Sequence, residues 1–124
     1  GALGSSVIGN NSCSGPQACD FVGQQGFVCT DEDCNTFETP PGSSVIGNGS
    51  CNGDGSCFDA GQGGINRIGN SSCNDFGSCA FAGVTFRESR IGNHSCNYDA
   101  TFDDGQLVGA CVLNDGTIGN NKFN

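Results

Sequence analysis

The sequence predicts an all-β fold, a disulfide-stapled β-solenoid (β-helix) with coils of about 22 residues. Three observations predict it: a phrase that recurs along the chain, ten cysteines, and an apolar content of only 35%. The phrase reads I-G-N-x-S-C and occupies residues 8–13, 46–51, 68–73 and 91–96. In a solenoid each such repeat forms one coil, and its few inward side chains stack on those of the neighbouring coils.

The spacing of the isoleucines defines the coil. With a fifth, incomplete copy included, they recur at intervals of 38, 22, 23 and 27 residues. Helical periodicity is absent, and each of the 22 glycines would cost a helix interior about 1 kcal/mol, so strands and turns are expected. We expect a single repeat array over residues 1–124, a segment of a longer chain. Its units begin near residues 8, 46, 68, 91 and 118, with an insertion at about 24–42.

Stacked coils would place equivalent side chains in columns. Neighbouring coils are expected about 4.8 Å apart, the usual spacing of paired strands. The isoleucines would then form an internal ladder of Ile8, Ile46, Ile68, Ile91 and Ile118. We expect other apolar residues to widen this narrow core, namely Val7, Val45, Phe21, Phe58 and Phe81.

The cysteines are expected to pair, since an even number in a small chain with a thin core is typical of a disulfide framework. In the fourth unit Phe102 replaces the expected second cysteine, and Cys111 follows later. Pairing within units uses all ten: Cys13–Cys19, Cys29–Cys34, Cys51–Cys57, Cys73–Cys79 and Cys96–Cys111. Pairing between adjacent coils is the main alternative. Each short closure is expected to contribute about 2 to 3 kcal/mol by restricting the unfolded chain.

Composition and charge exclude several classes of function. The cysteines indicate an oxidising compartment, so we expect an extracellular protein, secreted or at the cell surface. The formal net charge of −9 repels nucleic-acid phosphates and anionic lipids. No segment has the roughly 18 to 20 continuous apolar residues that a membrane span needs. We therefore expect no nucleic-acid partner and no membrane span.

Every complete copy of the phrase contains an N-x-S glycosylation acceptor, which predicts N-linked glycans at Asn10, Asn48, Asn70 and Asn93. In stacked coils these asparagines would fall in one column, on one face of the solenoid. A purely structural explanation stays open. Asparagine at a coil corner can form an amide ladder, and serine before cysteine can bond a turn backbone.

Metal binding and catalysis receive little support. Acidic groups that could attract calcium are Asp31, Glu32, Asp33, Asp54, Asp103 and Asp104. Their spacing matches neither the EF-hand loop nor the nonapeptide calcium repeat, so no metal site is predicted. His94, the single histidine, occupies the variable position of the phrase, which favours solvent exposure over general base catalysis. The threonines share no offset, as a flat ice-binding array would require.

The extended pattern I-G-N-x-S-C-N-G-x-x-x-C, clearest at residues 46–57, resembles cysteine-rich repeats of secreted or surface proteins in diatoms and related stramenopile algae. The resemblance covers nearly the whole chain. It implies an extracellular β-helix-like architecture in a cell-surface or flagellar-hair filament, and it attaches no catalytic residue to the motif. The insertion around Cys29 and Cys34 and the residue Phe102 depart from the pattern, which leaves the disulfide pairing open there.

The sequence therefore predicts a structural extracellular protein without enzymatic activity. We expect a glycosylated solenoid that self-associates into a filament or matrix and needs no cofactor, with calcium as a candidate ligand. The alternative is an extracellular module that binds carbohydrate, calcium or ice on a repetitive face.

Overall fold

A computed structural model describes residues 5–20, 22–23, 27–29, 36–38, 42–84, 87–109 and 111–123. These residues form short strands and turns and no helix. The strands are β1 (Ser5–Ile8), β2 (Phe27–Cys29), β3 (Thr36–Glu38), β4 (Ser43–Ile46), β5 (Ile65–Ile68), β6 (Glu88–Ile91), β7 (Thr101–Asp103), β8 (Gln106–Val108) and β9 (Thr117–Ile118).

Five strands stack into one parallel sheet in the order β1-β4-β5-β6-β9. Their register pairs Ile8 with Ile46, Ile46 with Ile68, Ile68 with Ile91, and Ile91 with Ile118. Each coil therefore lies directly on the next, and equivalent letters of the phrase become neighbours in space. The predicted all-β solenoid is confirmed.

Two hairpins interrupt the regular coils. Strands β2 and β3 pair antiparallel inside the first long unit, while β1 pairs directly with β4, so the insertion leaves the stack of coils unbroken. Strands β7 and β8 pair antiparallel inside the fourth unit. The extra length of both units is thus accommodated outside the parallel sheet.

The core is a narrow column of isoleucines beside a column of disulfides. Ile46, Ile68 and Ile91 are 2 to 4% exposed, and they pack against buried cysteines and alanines. At the two ends of the described stack the column opens, because Ile8 is exposed and Ile118 is only partly buried. The predicted isoleucine ladder is confirmed for the three central coils.

The prediction for the valines was wrong. Val7 is 61% and Val45 42% exposed, because side chains alternate between the two faces of a strand and each valine precedes a buried isoleucine. Phe58 and Phe81 are only partly buried and lie on the outside of the coils, while Phe21 falls outside the described residues. In the three central coils the inward position two residues before the isoleucine is instead polar.

A buried polar row takes the place that the valines were expected to fill. Ser44, Asn66 and Ser89 are almost fully buried at equivalent positions of β4, β5 and β6. The Asn66 side-chain Nδ2 donates to the Ser44 hydroxyl at 3.2 Å, and Asn114 Nδ2 donates to the Ser89 hydroxyl at 2.7 Å. These hydrogen bonds offset part of the cost of burying the row, while Asn66 Oδ1 is buried and has no partner among the described residues.

Left-handed backbone turns form the corner at the repeated phrase. The variable position has positive φ in each coil, for example 55° at Ser71 and 54° at His94, and so does the following cysteine, with 58° at Cys73. The glycine of the phrase is needed for another reason. A Cβ atom added to Gly47 would lie 2.5 Å from Oδ1 of Asn70 in the next coil. Only glycine lets adjacent corners approach this closely.

No helix in the described part of the chain is long and apolar enough to cross a membrane.

Candidate functional site

The repeated corner is the candidate site that the sequence singled out, and its asparagines form a ladder between coils. The side-chain Oδ1 of Asn48 accepts a hydrogen bond from the backbone N–H of Asn10 at 2.8 Å. The same bond recurs between the following coils. In each, the backbone N–H of one asparagine donates to Oδ1 of the equivalent asparagine in the next coil, in the pairs Asn48 and Asn70, Asn70 and Asn93, and Asn93 and Asn120. The asparagine of the phrase therefore stabilises the contact between neighbouring coils.

The serines form a second, buried ladder. The Ser50 hydroxyl donates to the backbone oxygen of Gly69 at 2.7 Å and accepts from the backbone N–H of Ser72 at 3.1 Å. Ser12, Ser72 and Ser95 make the equivalent pair of bonds to the coil that follows each of them. A hydroxyl that both donates and accepts satisfies two backbone groups that would otherwise be buried without partners.

A third ladder was missed at the level of sequence. Asn74 Oδ1 accepts from the backbone N–H of Asn52 at 3.1 Å, and Asn74 Nδ2 donates to the backbone oxygen of Gly49 at 2.9 Å. Asn52 and Asn97 occupy the same column and make equivalent contacts. The signal was available, since asparagine follows the cysteine of the phrase in three of its four copies.

The predicted glycosylation asparagines lie in one exposed column, but their serines do not. Asn10, Asn48, Asn70 and Asn93 are exposed, and each of the last three uses Oδ1 in the ladder. Within the described residues no hydrogen bond engages their Nδ2 atoms, the atoms that would carry sugar. Neighbouring acceptors stand one coil apart, about 4.8 Å.

Four disulfides close the coils as the pairing within units predicts. Cys13–Cys19, Cys51–Cys57 and Cys73–Cys79 each join cysteines six residues apart, and Cys96–Cys111 joins cysteines 15 apart. Cys111, and not Phe102, therefore takes the place of the second cysteine in the fourth coil. The predicted Cys29–Cys34 pair lies outside the residues whose side chains are described, so it stays a prediction.

The groups that could attract a metal ion are dispersed or already bonded. The sulphur atoms of Cys73, Cys79 and Cys96 lie within 4.8 Å of one another, but all three belong to disulfides and offer no thiolate. Asp54, Asp103 and Asp104 are exposed carboxylates. Asp31, Glu32 and Asp33 lie outside the described residues.

His94 is exposed on the corner between Asn93 and the buried Ser95, as its variable position in the phrase predicts.

The outward-facing residues of the parallel sheet differ from coil to coil. They form one column of Val7, Val45, Arg67, Arg90 and Thr117. The described part of this sheet therefore presents no uniform row of threonines to ice.

Among the described residues, Asp59 is the titratable group whose pKa departs most clearly from its value in water. Partial burial, with the nearby Asp20 carboxylate as a second cause, raises the pKa of Asp59 from 3.8 to about 6. Its Oδ1 atom is shielded from solvent and has no hydrogen-bond partner among the described residues. Both causes disfavour the charged form, so folding favours a protonated Asp59.

An apolar depression, here called the aromatic groove, is a feature that the repeat did not predict. The β7–β8 hairpin folds back against the second and third coils, which begin at Ile46 and Ile68. The groove between the hairpin and these coils is lined by Phe58, Phe76, Phe81, Phe102, Leu107 and Leu113. The phenyl rings contact in two pairs, with centroids 5.8 Å apart for Phe58 and Phe81 and 6.1 Å for Phe76 and Phe102. Phe102 remains 67% exposed.

Comparisons of the chain with protein-family models, with curated proteins and with solved structures find no match.

Proposed function

We propose that the chain is a structural module, a rigid solenoid rod that forms part of an extracellular filament or matrix and has no enzymatic activity. One observation supports this most directly: the polar residues that recur in every complete copy of the phrase make hydrogen bonds between coils. Asn70 and Ser72, for example, both bond a neighbouring coil. The same bonds recur from coil to coil, so these side chains give the rod continuous internal bonding.

The cysteines support a location outside the cell. Eight cysteines form four disulfides in the described part of the chain, which is consistent with an oxidising compartment. The finer assignment, secretion into a surface layer or matrix, is part of our proposal. Disulfides in every coil would keep a thin core folded where no chaperone acts on it.

The proposal includes self-association. In the part of the chain that the structure describes, β1 pairs with β4 alone and its Val7 and Ile8 are exposed, and an exposed apolar strand edge favours pairing with a further strand. We propose that a second copy can supply that strand. The opposite end of the described stack differs. Lys122 stands there at the position that is a buried serine in the central coils, so this corner lacks the hydroxyl that bonds the next coil elsewhere.

Glycans on the asparagine column would add hydration and protease resistance, and the stacking limits how many can fit. We predict that adjacent coils are not glycosylated together, because attachment atoms about 4.8 Å apart leave no room for two bulky sugars. Intact mass and glycopeptide mapping of chain secreted from a eukaryotic host should show at most alternate occupancy among the four acceptors. Full occupancy of Asn48 and Asn70 on the same molecule would contradict the stacking constraint.

The structural role itself is tested by measuring self-association at increasing protein concentration. Secreted, oxidised chain should form rods or bundles visible by electron microscopy as its concentration rises, and Val7→Lys in the exposed edge strand should reduce this association. Val45→Lys is the matched control, because it changes an exposed valine of the same sheet that is not in an edge strand. A chain that stays monomeric at every concentration, or that turns over a glycan substrate, would overturn the proposal.

A further inference from the structure

The aromatic groove is not needed to close a coil. In three coils the bonded cysteines are six residues apart in sequence. In the fourth coil they are 15 apart, yet their Cα separation is similar, 6.1 Å against 5.5 to 5.7 Å. The added length builds the β7–β8 hairpin, whose paired residues Phe102 and Leu107 both line the groove. The hairpin therefore adds a surface to a coil that is already closed.

This surface is apolar and open. Phe102 and Leu113 are more than half exposed, and Phe76 is 36% exposed. The hairpin is held close to the third coil, since a Cβ atom added to Gly77 would lie 2.9 Å from Leu107 Cδ2. Contiguous exposed apolar surface on a small, strongly charged chain is typical of an interaction site.

Charge selects among the partners that such a surface could take. Asp54 is the one charged residue that lines the groove in the described part of the chain, and the hairpin turn adds Asp103 and Asp104. The faces of phenyl rings are also electronegative and attract cations. These carboxylates would give a second copy of this chain, with its own net charge of −9, no attraction at the groove, and they would give a neutral sugar none either.

We propose that the aromatic groove binds a cationic segment of a partner protein, with an apolar side chain against the phenyl rings and lysine or arginine near Asp54 and the rings. The interaction is separate from the structural role, and each can fail without the other. Apolar contact supplies the affinity, and the acidic surroundings supply attraction and selectivity.

A labelled peptide of alternating lysine and leucine serves as the probe, titrated against the oxidised full chain by fluorescence anisotropy. We expect saturable binding that weakens as salt rises, and little binding of the same peptide with glutamate for lysine. Phe102→Ala should weaken the affinity roughly tenfold, as the loss of a central apolar anchor does. Asp54→Asn should weaken binding and reduce its dependence on salt.

Val45→Ala is the matched control, because it removes an exposed apolar side chain from the parallel sheet instead of the groove. Leu113→Ala, outside the hairpin, provides a second groove variant if Phe102→Ala alters the thermal unfolding of the chain. Equal binding by Phe102→Ala and Val45→Ala, or equal binding of the glutamate peptide, would overturn the proposal. Dimerisation of the chain through Phe102, or preference of the groove for a neutral oligosaccharide, would overturn it as well.

Discussion

Asn70 illustrates why the phrase keeps its asparagine at the scale of a single residue. Its Oδ1 accepts from the backbone N–H of Asn48, its own N–H donates to Asn93, and its Nδ2 has no hydrogen bond within the described residues. The acceptor oxygen is thus the part of the side chain that the fold uses. An N-x-S acceptor would be preserved by this ladder whether or not it carries sugar.

Substitutions at Asn70 separate the two explanations. Asn70→Ala should lower the free energy of unfolding by about 1 kcal/mol, because the Asn48 N–H loses its acceptor. Asn70→Asp keeps an acceptor oxygen and should cost less than about 0.5 kcal/mol, although both variants destroy the glycosylation acceptor. Urea denaturation of unglycosylated, oxidised protein measures the difference. Equal destabilisation by both changes would show that the ladder bond is unimportant.

Asp59 gives the molecule a dependence on pH. Because its pKa is raised from 3.8 to about 6, the folded state binds more protons than the unfolded state between these values. This contribution to stability is fully present below pH 3.8 and is lost as the pH rises through about 6. Relative to Asp59→Asn, the wild-type chain should therefore melt at progressively higher temperature as the pH falls from 7 to 4.

The Asn variant is the reference because the other carboxylates titrate in both proteins. Thermal unfolding followed by circular dichroism over this range gives the difference directly. A difference that stays constant with pH, or that grows as the pH rises, would contradict the partial burial of the Asp59 carboxyl group.

At the level of single residues, recurrence along the sequence showed which positions are equivalent in successive coils, but it did not show which of them are buried. The three central isoleucines were predicted correctly because one aliphatic position per coil must face inward. Val7 and Val45 recur beside them, but the alternation of a strand places them outside. Asn66 replaces serine within the buried row, and no hydrophobic pattern could have indicated that a core position is polar.

At the scale of one element, the fifth corner shows what the disulfides do not do. Residues 118–123 lack the serine and the cysteine of the phrase, yet Asn121 and Phe123 have φ values of 57° and 56°, like the equivalent positions of complete coils. The Lys122 N–H still donates to the Ser95 hydroxyl at 3.1 Å. Bonds to the preceding coil are therefore sufficient to impose the shape of the corner, and disulfides add stability to it.

This predicts a modest effect when one central disulfide is removed. The double variant Cys73→Ala and Cys79→Ala should retain the β-rich circular dichroism spectrum and lose about 2 kcal/mol of unfolding free energy, the value expected for a short closed loop. Guanidinium denaturation under oxidising conditions measures the loss. Complete unfolding of the variant would mean that the disulfide, and not the ladders, determines the coil.

The elements that repeat along the chain could be predicted from the sequence, and those that occur once could not. The strands ending at Ile46, Ile68 and Ile91 could be located because each leads into a copy of the same phrase, and these copies follow one another after 22 and 23 residues. The β7–β8 hairpin and the aromatic groove occur once, and they depend on contacts between residues of different coils, such as Leu107 with the surface at Gly77. A single sequence gives no register for such contacts.

At the scale of the whole molecule, the solenoid is a fold in which polar ladders supplement a very small apolar core. Each ladder bond alone contributes little, but columns of asparagine and serine repeat the bond in every coil, and the disulfides restrict the unfolded chain. A rod built in this way does not need the large hydrophobic interior of a compact domain. Because polar ladders and disulfides supplement the core, an apolar content of 35% is enough for the chain to fold.

The direct stacking of coils is the claim on which the other conclusions depend, and scalar couplings across hydrogen bonds measure it without any substitution. NMR of isotopically labelled, oxidised chain should show couplings from the Gly47 amide nitrogen to the Ile68 carbonyl carbon and from Gly69 to Ile91, because these N–H groups donate at 2.8 Å. Couplings at those pairs would establish the register of three consecutive coils. Their absence, or couplings from the same glycines to residues at another offset, would contradict the solenoid.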